Sequence, residues 1–165
     1  ISGVTHDVTE AKVTILGVPD RPGVSAAIFE PLAQAGVVVD MIVQNTSTKG
    51  TTDISFTVPK SDMAVGEEIV KRVAGEIGAT GVDHDADIAK ISLVGAGMKT
   101  SPGIAAKMFR TLADREINIE MISTSAIRIT VVVPAADMQA AVQSLHTAFG
   151  LDSGIDYGAP LPERT

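Results

Sequence analysis

The stretch "VPDRPGVSAAIF" (Val18–Phe29) returns eighty residues later as "MKTSPGIAAKMF" (Met98–Phe109). In each, a Pro-Gly pair opens an apolar helical pattern. Val24, Ile28 and Leu32 share one face of the first, Ile104, Met108 and Leu112 one face of the second. The likeness runs on in both directions. "SGVTHDVTEAKVTILG" (Ser2–Gly17) matches "TGVDHDADIAKISLVG" (Thr80–Gly95) at an offset of 78, and "VDMI" (Val39–Ile42) matches "IEMI" (Ile119–Ile122) at 80. "ISFTVPKSDM" (Ile54–Met63) matches "ITVVVPAADM" (Ile129–Met138) at 75. Such self-similarity means one supersecondary unit used twice.

Each copy reads in the same order. Lys12–Val18 and Lys90–Ala96 are apolar strands that end at glycine-containing loops. Pro22 and Pro102 suit a first helical position, where a missing N–H costs nothing. Pro31, inside the first helix, predicts a kink, because it removes a hydrogen bond to the preceding turn. Strands are expected over Val37–Gln44 and Ile117–Thr124. The alternations Ile54, Phe56, Val58 and Ile129, Val131, Val133 mark the next pair. Asp62 and Asp137 are the expected N-caps of the second helices.

β-α-β-β-α plus one further strand is the ferredoxin-like βαββαβ sandwich, an α+β fold. The further strand is "GVTHD" or "GVDHD". Val82–Asp85 follows the first copy's second helix and closes the first domain. The second copy has no equally good strand after its own second helix, and the N-terminal "ISGVTHD" is available to fill the place. Interleaved domains are therefore expected: 12–87 as the first, 1–11 plus 88–151 as the second, and 152–165 as a flexible tail. The rival is a local hairpin of Val4–Asp7 with Lys12–Val18. Val132, on the nominally outward side of its strand, is expected to be covered by a second copy of the chain in a dimer.

Composition narrows the function classes. The 165 residues are 45% hydrophobic, with mean hydropathy +0.27, and only four Phe and one Tyr are aromatic, so the core must be aliphatic. A formal charge of −7 argues against nucleic acid and anionic membranes as partners, since both demand clustered Lys and Arg. No apolar run approaches a membrane span of roughly 18 residues. Without cysteine there is neither a disulfide framework nor thiolate chemistry. A cytoplasmic location is the expectation.

No catalytic or metal constellation emerges. "GAGMKTSPG" fails as a phosphate loop, because Met98 separates Gly97 from Lys99, and it lacks the third small residue of a dinucleotide fingerprint. His6 and His84 occupy equivalent positions on short strands without ligand spacing, and His146 stands apart from both. Asp83, Asp85 and Asp87 lack the glycine and distal glutamate of a calcium loop. Ser123, Thr124 and Ser125 end a strand, where hydroxyls either meet a ligand or cap a turn. Asp40 and Glu120 read equally well as plain polar edges.

The Pro-Gly loops remain. A loop entering a helix presents free backbone N–H groups and the positive end of a dipole, a seat for a carboxylate. Asp20 adds a negative charge able to hold an ammonium. Together these form a minimal receptor for a free amino acid, set against the plainer reading of tight structural turns. The second loop carries Lys99, Thr100 and Ser101 and no carboxylate, so the two loops should not bind equally.

"GVPDRPGVSAAIF", "VDMIVQN", "KISLVGAGMKTSPGIAAKMF" and "NIEMISTSAIRITVVV" closely resemble the paired ACT domains of aspartokinases, from about Ser2 to Phe149. That resemblance implies a regulatory region or β subunit, catalytically silent by itself and without a cofactor. It further implies allosteric feedback inhibition by threonine, lysine or both, a homodimer formed through ACT domains, and a catalytic aspartokinase subunit or domain as partner. Carried over by motif, Asp20, Gly23, Val24 and Ser25 would hold the effector's charged ends and Gln44 would read its side chain. Asn118 and Ile119 would contribute from the facing unit. Met98, Lys99, Thr100 and Ser101, with Val39 and Asp40, would form the pseudo-equivalent site. Ala126 stands where the family pattern "STSEIRI" has glutamate, which removes any ion pair that glutamate would make. The different-class alternative is a freestanding tandem-ACT sensor that regulates another enzyme or a transcriptional pathway.

Overall fold

A computed structural model describes residues 1–45, 47 and 49–152. The elements are β1 (Gly3–Asp7), β2 (Glu10–Pro19), α1 (Val24–Gln34), β3 (Ile42–Gln44), β4 (Thr51–Pro59), α2 (Met63–Ile77) and β5 (Gly81–Asp85). They continue as β6 (Ile88–Val94), α3 (Ile104–Asp114), β7 (Met121–Thr124), β8 (Arg128–Pro134) and α4 (Met138–Ala148). Apart from Asp152, the expected tail lies outside the described residues.

Two four-stranded sheets form, ordered β3-β4-β2-β5 and β1-β6-β8-β7, with every neighbouring pair antiparallel. Each carries its two helices on one face, which gives two ferredoxin-like α+β units. The N-terminal strand belongs to the second sheet: Val4 lies opposite Leu93 and His6 opposite Ile91. In the first sheet β5 takes the matching place, with Val82 opposite Ile15 and His84 opposite Val13. The units are thus interleaved, and the local hairpin does not form. The physical reason is vacancy. Among the described residues no strand follows α4, and Ile1 and Val4 gain apolar cover on the second core by filling the gap.

The alternation of strand residues decides what is buried. Val13, Ile15, Ile54 and Phe56 meet Ile28, Leu32, Val70 and Val73 in the first core. Ile91, Leu93, Val131 and Val133 meet Met108, Leu112 and Leu145 in the second. A third cluster, Met41, Ile88, Met121 and Val132, joins the helix-free faces of the two sheets. Val132 is fully buried there, so its cover comes from the same chain and not from a second copy.

Two other local expectations, the helix starts and the strand onsets, are corrected. Helices α1 and α3 begin after Gly23 and Gly103, which are left-handed with φ of 88° and 92°. A left-handed residue cannot sit inside a right-handed helix, so Pro22 and Pro102 lie in the turn before it. Helix α1 runs on through Pro31 to Gln34, and the Pro31 carbonyl accepts the Ala35 N–H at 3.1 Å. The strands expected from Val37 and Ile117 pair regularly only from Ile42 and Met121. Val37 and Ile117 are instead buried in the two cores. Asp62 and Asp137 do stand at the N-cap positions of α2 and α4, but neither side chain makes a capping hydrogen bond.

Candidate functional site

A Cβ added at Gly23 or Gly103 would meet nothing within 4 Å, so glycine is there for its backbone angle and not for space. That angle turns the chain sharply into the helix. It also leaves the first amides without a side-chain cap. The Val24 N–H reaches back only to the Arg21 carbonyl, at 3.5 Å. Exposed amides on the positive end of a helix dipole favour an anion.

In the first loop the Asp20 N–H donates to the Gly50 carbonyl at 3.0 Å, which fixes the backbone. Its exposed carboxylate accepts no hydrogen bond among the described residues. Arg21 is drawn aside, with Nη2 donating to the Ile77 carbonyl at the end of α2 (3.3 Å). Val24 is buried in the first core, whereas Ser25 and Gln44 are exposed.

The second loop is built differently. Met98–Thr100 form a 3-10 turn, and the Thr100 hydroxyl donates to the Gly97 carbonyl at 3.0 Å, so it serves the turn itself. A cleft of about 310 Å³ opens between this loop and the end of β7. Met98, Ser101, Pro102, Gly103, Ile104 and Ala105 line one side, and Thr124, Ser125 and Ile129 the other. Thr124 is the repeat equivalent of Gln44, and here it faces the second loop across the cleft. Matching the repeats at this offset is the sequence signal that finds Thr124.

Other expected residues lie elsewhere. Val39 packs partly on the first core and Ile119 on the second, while Asn118 is exposed. The Asp40 carboxylate lies against Lys90 of the other domain. None of the four is among the residues lining the cleft.

Among the described residues no group of three or more His, Cys, Asp or Glu side chains could hold a metal. His6 and His84 are exposed on the edge strands β1 and β5. His84 Nδ1 lies 3.3 Å from Glu67. The Glu67 carboxyl is held below its ordinary range chiefly by a hydrogen bond from Lys71, with His84 adding to the effect. No described helix is long and apolar enough to cross a membrane.

A family model described as "ACT domain" matches residues 13–72 and 91–149, one match per repeat. A crystal structure of aspartokinase α and β subunits is 45% identical with a TM-score of 0.86, covering 91% of this chain and 99% of that one. This chain belongs to the tandem ACT regulatory regions of aspartokinases. The regulatory subunit of aspartate kinase from Thermus thermophilus, solved ligand-free, is 40% identical with a TM-score of 0.86, covering 90% and 98% of the two chains. The aspartate kinase of Pseudomonas fluorescens is 49% identical over 153 residues, 93% of this chain and 37% of that protein. The aspartokinase of Corynebacterium glutamicum is 46% identical over 153 residues, 92% of this chain and 36% of that protein. The chain thus spans little more than a third of the length of these curated relatives. Both family matches leave out β1 and β5, the two strands that close the sheets.

Proposed function

We propose that this ACT pair is the amino-acid-sensing part of an aspartokinase and brings about feedback inhibition by threonine, lysine or both. One observation carries the reading. The fold matches solved aspartokinase subunits over 98–99% of their length, and here it presents an open, glycine-capped helix entrance in each repeat. The effector's carboxylate takes the α1 N-terminus at Gly23, Val24 and Ser25, its ammonium takes Asp20, and Gln44 reads its side chain. Asn118 and Ile119 of a facing ACT unit complete that site. Met98 to Ser101, with Val39 and Asp40, serve the weaker pseudo-equivalent one. The domain boundaries 12–87 and 1–11 plus 88–151 follow from the same reading. The partner is a catalytic aspartokinase subunit or domain in the cytoplasm, and the chain alone turns over no ATP with aspartate.

Calorimetry with threonine, lysine, methionine and isoleucine tests the class of ligand, and the absence of heat for all four would sink the reading. Asp20 is tested by a melting series against threonine. A ligand that binds only the native state adds about 2.7 kcal/mol at a hundredfold excess over its Kd. Asp20→Ala keeps the helix entrance but removes the ammonium partner, and should abolish most of the threonine shift. Thr100→Ala removes only a turn hydrogen bond and should leave the shift nearly whole. Equal shifts for wild type and Asp20→Ala would reduce the first loop to a plain turn. Capture of a kinase-type partner separates this reading from a freestanding sensor.

A further inference from the structure

The helix-free faces of the two sheets meet in a seam whose charged residues obey the repeat. Lys12 Nζ lies 3.4 Å from Glu120 Oε1. Lys90 Nζ contacts Asp40 Oδ2 and lies 2.5 Å from Glu10 Oε2. Lys12 and Lys90 are repeat equivalents, and so are Asp40 and Glu120. Each domain therefore sends a lysine from its inner strand, β2 or β6, to the acid just ahead of β3 or β7 in the other domain. The acids are themselves fixed: the Asp40 N–H donates to the Thr57 carbonyl (3.1 Å) and the Glu120 N–H to the Val132 carbonyl (2.8 Å).

Between the crossed pairs lie Met41 and Met121, also equivalents, with Ile88 and Val132. The symmetry breaks at two positions. Glu10 and Thr57 stand in the first repeat where Ile88 and Val132 stand in the second. Lys90, only 8% exposed, thus holds two carboxylates, while Lys12 holds one. A lysine so buried needs its partners, and removing it would leave two acids facing each other.

We infer that Lys12 and Lys90 are positioning residues that fix, across the domain boundary, the segments 37–41 and 117–121 ahead of β3 and β7. Strand β2 runs on from Lys12 to the first Pro-Gly loop, and β6 from Lys90 toward the second. Each lysine therefore ties the strand that feeds one loop to the segment that borders the other domain's edge strand. If those loops and segments hold the effector, as proposed above, the crossed pairs carry occupancy of one domain to the other. That last step rests on the proposed function, whereas the positioning does not.

Amide hydrogen exchange on the whole chain tests it. Lys12→Met should speed exchange in 117–121 roughly tenfold, allowing for the partial exposure of the pair, while the first core keeps its protection. Lys90→Met should do the same, more strongly, for 37–41. The exchanged pair Lys12→Glu with Glu120→Lys should restore protection in 117–121. Faster exchange confined to the substituted residue's own domain, or no recovery on exchanging the charges, would overturn the inference. Should Lys90→Met fail to fold by far-UV circular dichroism, Asp40→Asn, which removes one charge of that pair at constant shape, gives the deciding reading for 37–41. Titration of threonine and lysine then separates the two claims. At effector concentrations that fill only the Asp20 site, protection of both domains in wild type but of one in Lys12→Met supports the coupling. Protection of both domains in that variant under the same conditions overturns it. No binding at all defeats the sensor reading, while the exchange result still decides the positioning role.

Discussion

Gly17 is where a single methyl group does most harm. Its φ is +62°, and a Cβ there would lie 2.5 Å from Thr80 Oγ1 and 2.8 Å from Thr80 Cγ2. The same hydroxyl donates to the Leu16 carbonyl at 3.0 Å, and the Gly17 N–H donates to Asp53 Oδ1 at 2.9 Å, just where the β2–β4 register shifts. Gly36 has φ +76° and nothing within 4 Å of a Cβ, so Gly36→Ala should cost only the left-handed penalty, about 1–2 kcal/mol. Gly17→Ala adds displacement of Thr80 and should cost about 1 kcal/mol more. Urea midpoints of the two variants check the order, and equal losses would refute it. Asp7 supplies a pH dependence. The Thr9 hydroxyl, then the Thr9 N–H, bind its carboxylate and hold its pKa below the ordinary 3.8, with Lys90 and His6 contributing. A depressed folded-state pKa gives stability that is present above 3.8 and is lost as pH falls through the folded value. Asp7→Ala should therefore lose more stability at pH 7 than at pH 3, and a constant difference between urea midpoints at the two pH values would contradict this.

At the scale of elements, the N-terminal strand makes the sharpest claim. It is an edge strand whose removal bares one side of β6 and uncovers the second core where Ile1 and Val4 pack. Deleting residues 1–8 should leave the first domain folded and loosen the second, splitting one melting transition into two and promoting association through the open edge. A synthetic peptide of residues 1–8 should reverse both effects, and a single unshifted transition would show that the strand is dispensable. That pairing was legible in the sequence because "GVTHD" and "GVDHD" are near-copies and one sheet lacked a closing strand. Where helices start was less legible: Pro suits both a first helical position and the turn before it, and only the glycine's backbone angle decides. The onset of β3 and β7 was hidden for a related reason. Val37 and Ile117 are apolar because they enter the cores, and burial alone does not distinguish a strand from an irregular segment. The second loop could be located by its Pro-Gly pair. The role of Asp40 could not, because its partner Lys90 lies fifty residues away on another sheet.

For the whole molecule the open question is where the remaining apolar surface goes. Val132 no longer argues for a second copy, since the chain covers it internally. Two other residues do. Ile42 and Ile122, repeat equivalents on β3 and β7, are 53% and 43% exposed. Among the described residues both strands pair on one side only, so each presents unpaired backbone N–H and C=O groups beside a half-exposed isoleucine. Val38 and Ile127 are exposed as well. An edge that joins unpaired backbone to apolar side chains is a template for another strand, and a stable protein avoids such edges unless a partner uses them. A dimer formed through these edges is the expected state. Light scattering at micromolar concentration should give twice the chain mass, and Ile42→Lys or Ile122→Lys, which places a charge on the edge, should return the monomer mass with unchanged far-UV circular dichroism. A monomeric wild type, with and without threonine, would mean that the edges are closed some other way, the catalytic part of a longer aspartokinase being the first alternative to try.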